Sequence, residues 1–504
     1  MAQIRTLPAA MTLAALAWPG LAAAQDDTAA RIQALEAQVQ ALSQQLSELK
    51  AAAQAEAAAR AEAQASAPAA PPLAVAQSAK PAAPATQVSI KNGRPTFASA
   101  DGRFSASLRG VMQLDTAMYF QDDDLPPSVT ARDLNGGANF RRARIGVDGK
   151  LFGDFDYRIL MDFGGAGSED AGRVQELWLQ YSNLGPFAAR VGAFAPSLGL
   201  ADAASTNGAM FPERAAVADI ARGLAGGDKR IGAGLIGSGE RWHASAVVTG
   251  ATASGVNSAA ADFNDPTYDE QQGFAVRLAG TPVRGEGWLV HAGANASVIT
   301  QPDDDGAAST PRYSVRLTER PELRVDGARL VDTGSIEAYG AHAYGFELAF
   351  QRKNLLFQGE YFDLGVDRRN PAAGVSDPEF SGWYIEGGWV LTGEARKYST
   401  DSAAFDAPSV ARPFDPAAGA WGAWELAARY SVVDLNSNAD SAIVANRVRG
   451  GEQEIWSLGV NWFVNPAVRF SLGVQDVSVE RLNAAGLPLD QDYRSLNLRS
   501  QFAF

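Results

Sequence analysis

The sequence predicts an all-β fold: a sixteen-stranded antiparallel transmembrane β-barrel, preceded by a short N-terminal coiled-coil helix. Three observations predict it. The chain opens with an export leader, it alternates apolar and polar residues with period two from residue 103 to its end, and its connections alternate between short and long. Composition alone does not announce a membrane protein: 504 residues carry a formal net charge of −14, with 46% hydrophobic and 20% charged residues. It does exclude several function classes. The absence of cysteine removes disulfide frameworks, thiolate metal sites and cysteine nucleophiles, and three histidines (His243, His291, His342) leave little for an imidazole metal centre. The acidic balance argues against a nucleic-acid partner, because phosphate backbones require a net basic face. No cofactor is expected.

Residues 1–24 read as a signal peptide. Arg5 precedes an uncharged stretch from Thr6 to Leu21, and Ala22, Ala23 and Ala24 supply a small-residue cleavage site before Gln25. Pro8, Pro19 and Gly20 shorten the apolar run below the roughly 20 residues of a spanning helix, which disfavours a retained anchor. Residues 25–65 follow as a periplasmic coiled-coil helix: Ile32, Leu35, Val39, Leu42, Leu46 and Leu49 all fall on one narrow a/d seam. A narrow seam favours helix self-association over docking on a globular body. The Ala/Pro-rich run over 66–90 reads as a semi-rigid linker, and 91–504 as the barrel.

Within 103–120, Phe104, Leu108, Met112, Leu114, Met118 and Phe120 share one parity, opposed by Ser105, Ser107, Arg109, Gln113 and Asp115. The pattern recurs at 139–152, 154–163, 174–182, 187–195, 229–237, 240–250, 273–282, 287–298, 343–351, 354–364, 381–392, 421–433, 453–463, 467–478 and 493–504. Sixteen is even, as a closed bacterial outer-membrane barrel requires. Tight connections at 153–154, 183–186, 238–239, 283–286, 352–353 and 464–466 alternate with long polar ones at 121–138, 196–228 and 299–342. One connection, 393–420, is long where parity makes it periplasmic, so either that turn is elaborated or the count there is off by a hairpin. Trp242, Trp288, Tyr344, Trp383, Trp389, Trp424, Tyr430, Trp456 and Trp462 lie on the apolar parity near strand ends, as interfacial girdles need. A soluble β-sandwich also alternates, but it has no reason to end on a lipid-facing aromatic such as Phe504.

A barrel of sixteen strands is too wide for side chains to fill, so the polar parity is expected to line water. That parity carries Arg109, Arg142, Arg144, Lys150, Arg158, Arg190, Arg277 and Arg429, the candidate anion-binding residues of the lumen. It also carries Arg469 and Arg499 and carboxylates such as Asp115, Asp148, Asp156, Asp162, Glu176, Glu347 and Glu360. Each arginine can therefore pair across strands or serve a permeant ion; clustering of Arg142, Arg144 and Lys150 with Arg109 and Arg158 marks a patch able to draw anions. The loop 196–228, with Glu213, Arg214 and Arg222, is expected to fold inward as the constriction.

The stretches at 140–163, 174–200, 211–215 (FPERA), 382–398, 422–436 and 458–470, in this order, resemble the phosphate-selective porin O and P family of Gram-negative outer membranes. The resemblance covers roughly residues 90 to 504. It implies a trimeric sixteen-stranded barrel in outer-membrane lipid, an inward-folded third loop, and conduction of small anions such as phosphate along arginines, with a lysine cluster in the best phosphate binders. This chain departs in having only seven lysines, with Lys150, Lys229, Lys353 and Lys397 beyond the first strand. Two other readings stand beside an anion channel. One is an outer-membrane barrel hydrolase, which needs a nucleophile beside His243 or His291. The other is a general diffusion pore without anion preference that links envelope layers through its coiled coil.

Overall fold

The computed structural model of the chain describes Gln44 and residues 86–91, 93–121, 133–165, 172–227, 229–253, 269–306 and 309–504. The expected signal peptide, the expected coiled coil apart from Gln44, and linker residues 66–85 lie outside the described residues.

Sixteen strands follow one another in antiparallel order. They are β1 (Ser105–Gln121), β2 (Gly137–Leu151), β3 (Phe155–Asp162), β4 (Arg173–Leu184), β5 (Phe187–Phe194), β6 (Arg230–Ser238), β7 (Trp242–Thr252) and β8 (Gln272–Gly285). The second half comprises β9 (Trp288–Gln301), β10 (Ile336–Arg352), β11 (Leu355–Arg368), β12 (Glu379–Val390), β13 (Ala423–Ser437), β14 (Val448–Phe463), β15 (Val468–Glu480) and β16 (Gln491–Ala503). β16 pairs back with β1 from Tyr493↔Gln121 to Ala503↔Val111, and Phe504 exchanges backbone hydrogen bonds with Gly110 at 2.9 and 3.1 Å. Closure satisfies the backbone within the wall and leaves no edge among the sixteen strands, which is what lipid demands. Gly110 leaves room for the terminal ring: a Cβ there would lie 2.5 Å from it, and Phe504 would have to turn away.

The alternation places apolar residues outward. Phe346, Leu348 and Phe350 on β10 are exposed, while the alternating Glu347, Ala349 and Gln351 are buried. So many exposed large apolar side chains would be an aggregation hazard in water and are the expected surface in a bilayer. Trp424 stacks on Trp462 at 5.3 Å, and Tyr430 on Trp456 at 4.3 Å, among the expected girdle residues.

Three differences from the sequence expectation have physical causes. β10 begins at Ile336, well before the expected 343, because its first inward residues, Ile336 and Ala338, are buried and apolar and so hide the alternation. A hairpin of Gln87–Lys91 and Arg94–Ala98 precedes the barrel, starting inside the segment read as linker and pairing with the start of β1. The long connection after β12 is an elaborated turn, and the strand count is right. It carries a small hairpin, Arg396–Ser399 with Ala404–Pro408, which projects into the barrel.

The lumen is not simply open. The third external loop contributes α1 (Leu200–Ala203) and α2 (Ala216–Gly223), whose residues pack with the fifth loop and the inner faces of β8–β16 in one apolar cluster. Val217, Ile220 and Leu224 meet Leu317, Leu330, Phe362, Leu364, Val433 and Ile455 in it. Gly382 permits this contact, since a Cβ there would come within 2.7 Å of Val217.

Candidate conduction path and constriction

Glu213, in the FPERA segment of the third loop, is the node of an ion-pair cluster inside the barrel. Arg141 grips it with a two-pronged contact, Nε to Oε1 at 2.7 Å and Nη2 to Oε2 at 2.9 Å. Arg499 of β16 donates to it at 3.0 Å while holding Asp115 through two bonds of 2.6 Å. Arg324 of the fifth loop stands 3.5 Å away and Arg142 3.9 Å. Burial by itself raises the Glu213 pKa, but the guanidiniums of Arg141, Arg142, Arg324 and Arg499 more than reverse this and hold the carboxyl well below the usual carboxylate range.

Arg141 stands on the apolar parity of its segment, with Ala143, Ile145 and Val147, and so carries no lumenal signal in the sequence. A bulge in β2 pairs Gln113 with Arg142 and the adjacent Leu114 with Phe140, leaving Arg141 as the extra residue, so that it and Arg142 both face inward. The loop is moored elsewhere as well. Arg214 donates to the Ala201 carbonyl at 3.0 Å and lies 3.6 Å from both Asp202 and Asp219. Arg222 bonds Asp202 at 2.5 Å. Glu360 accepts from the backbone N–H groups of Leu200 and Ala201 and from the Tyr384 hydroxyl at 2.7–3.0 Å.

On the β1–β5 wall several charges stay wet. Arg109 and Arg94 both meet Asp148, Arg158 meets Glu176 at 2.9 Å and Lys150 meets Asp156 at 2.6 Å, whereas Arg144 meets a buried Asp162 at 2.8 Å. Arg190 is held by the Gln180 amide oxygen at 2.7 and 2.9 Å and lies 4.3 Å over the Trp178 ring, which Arg158 also approaches at 5.2 Å. The side chains of Arg109, Arg158 and Lys150 keep 28%, 26% and 45% of their surface accessible.

A family model for the phosphate-selective porins O and P matches residues 113–504. The chain belongs to that family. As such it is an outer-membrane β-barrel channel. Porin O of Pseudomonas aeruginosa is 27% identical over 422 residues, covering 81% of this chain and 90% of its own length. An uncharacterised protein of Caulobacter vibrioides is 27% identical over 527 residues, covering 97% and 96%. Among solved structures, the anion-selective porin of Comamonas acidovorans superposes with TM-score 0.44 at 10% identity over 80% of this chain and all of its own.

The porin's remaining expected lumen residues are sequestered. Arg277 is fully buried, bonded twice to Glu347 at 2.9 and 2.7 Å and to the carbonyls of Ser402 and Ala403 in the elaborated periplasmic turn. Arg429 pairs with Glu322 of the fifth loop, donates to the Glu213 carbonyl at 2.9 Å and lies 4.5 Å over the Phe211 ring. Arg142 donates to Gln113 at 2.6 Å and is buried. His291 sits between Tyr398 and Glu347, and His243 against the Asp401 carbonyl. Arg94, Arg141 and Arg324 are among the further lumen-facing cations of the described residues. Arg94 precedes the alternating region and Arg324 sits in a loop, so neither carried a periodic signal, and no local pattern announces the bulge that turns Arg141 inward.

Proposed function

We propose that this porin passes small anions down their gradient through a path along the β1–β5 wall, as a homotrimer seated in outer-membrane lipid. The carrying observation is the distribution of accessible charge. Arg94, Arg109, Lys150, Arg158 and Arg190 face Asp148, Asp156 and Glu176, five cations against three carboxylates, while the opposite half of the lumen is filled by two loops and the periplasmic turn. A surplus of positive charge at a narrow, poorly screened passage favours anions even in an acidic chain. The acidic total reflects the whole molecule, not this wall.

Arginine forks rather than lysine ammoniums dominate the path, which supports general oxyanion and halide passage over a lysine-based phosphate clamp. Reversal potentials of the purified channel in a KCl gradient test this: anion preference is expected, and cation preference overturns it. Phosphate added to one chamber is expected to reduce chloride current only modestly in the native channel.

A further inference from the structure

The four guanidiniums around Glu213 have the composition and geometry of a site for a free oxyanion. Arg141 offers its Nε–Nη2 edge to the two carboxylate oxygens in parallel, the same fork that recognises phosphate and carboxylate ligands. Arg499 adds a third donor to Oε1, and Arg324 and Arg142 bring further positive charge to the Oε2 side. Arg499 has Asp115 as a second partner and Arg324 has Asp219 and Glu319. Among the described residues Arg141 and Arg142 have no carboxylate within 4 Å other than Glu213, and the buried Arg142 Nε has no hydrogen-bond partner. At the rim of the cluster Arg141 and Arg324 keep 11% and 24% of their side-chain surface open.

We infer that this cluster is an oxyanion-binding site occupied by the chain's own Glu213 carboxylate, so that a permeating oxyanion of the phosphate or carboxylate type competes with Glu213 for Arg141 and its neighbours. Occupancy by Glu213 ties the third loop to β2, β16 and the fifth loop, so an anion that displaces it also loosens the constriction at that point. In the native channel the tethered carboxylate wins because its effective concentration at the site exceeds that of a dilute ion. The inference rests on the lumen being an anion path, and the two fail in different measurements.

The test uses the full-length protein in planar bilayers carrying chloride current, with inorganic phosphate and acetate as the added probes. Glu213→Gln keeps the shape and removes the charge. It is expected to make chloride current sensitive to phosphate at a concentration at least about ten-fold lower than in the native channel. Adding Arg141→Gln is expected to abolish that gain. Equal phosphate sensitivity in E213Q and native channels overturns the inference, as does an E213Q channel that only conducts more, which would make Glu213 a tether. Acetate acting as strongly as phosphate assigns the site to oxyanions in general, and phosphate acting alone narrows it to phosphate; both support it. Should E213Q not assemble, judged by migration of the unheated barrel on a gel, Glu213→Asp withdraws the carboxylate by one methylene and is expected to show intermediate sensitivity. No increase over native in E213D then overturns the inference. Loss of anion preference in the native channel's reversal potential would instead sink the conduction path itself.

Discussion

Two arginines of the same parity class, Arg158 on β3 and Arg277 on β8, end in opposite conditions. Arg158 shares Glu176 at the edge of open lumen with a quarter of its side chain accessible, whereas Arg277 is fully enclosed between Glu347 and two carbonyls of the periplasmic turn. Both point inward, as alternation requires. What they meet there differs, because the third loop, the fifth loop and the turn after β12 cover the β8–β16 side and leave Arg109, Lys150 and Arg158 on the β1–β5 wall accessible. Lumenal parity thus selects candidates for a conduction path, and only inserted segments decide which of them stay open to the lumen.

The strongest way to break this contrast is to remove the filling. Deleting residues 201–222 takes away α1 and most of α2 and is expected to raise single-channel conductance several-fold; an unchanged conductance would mean the loop does not set the constriction. A substitution that separates the two arginines comes next. Arg277→Gln leaves Glu347 buried without its cation, a loss of about 3–5 kcal/mol for a buried pair, and is expected to lower resistance to denaturant while leaving the reversal potential in place. Neutralising Arg109 and Arg158 together is expected to do the reverse, shifting the reversal potential toward cations with a smaller change in stability.

Acid sharpens the comparison at the constriction. The folded pKa of Glu213 lies below its unfolded value of about 4.5, so its stabilising contribution is complete above that value and is lost only as pH falls through the lower, folded one. Conductance measured from pH 7 down to about 4.5 is expected to show no undocking of the third loop; a step within that range would contradict the four-arginine cluster as its anchor. The smallest effect belongs to Lys150→Gln. Its ion pair with Asp156 is nearly half exposed, so unfolding should shift by no more than about 1 kcal/mol, with a slight loss of anion bias.

Much of this arrangement was legible in the chain itself. Period two with lipid-compatible outward residues located sixteen strands, including β13 beyond the long turn that left the count open. Arg144, Lys150 and Arg158 were placed on the lumen from parity alone. Arg141 was not, because a single extra residue in one strand reverses parity and leaves no trace in composition. Arg324 and Glu322 were not, because a loop has no period from which to read direction, and their partners lie over a hundred residues away in α2 and β13.

The sequence by itself determined the wall: strand number, outward and inward faces, and the membrane in which they make sense, because those follow from a repeat that each short segment carries independently. Tertiary structure decided the lumen. Which arginines remain open, which are enclosed, and why Glu213 gathers four of them depend on contacts between segments far apart in the chain, and those exist only once the barrel has closed around its loops.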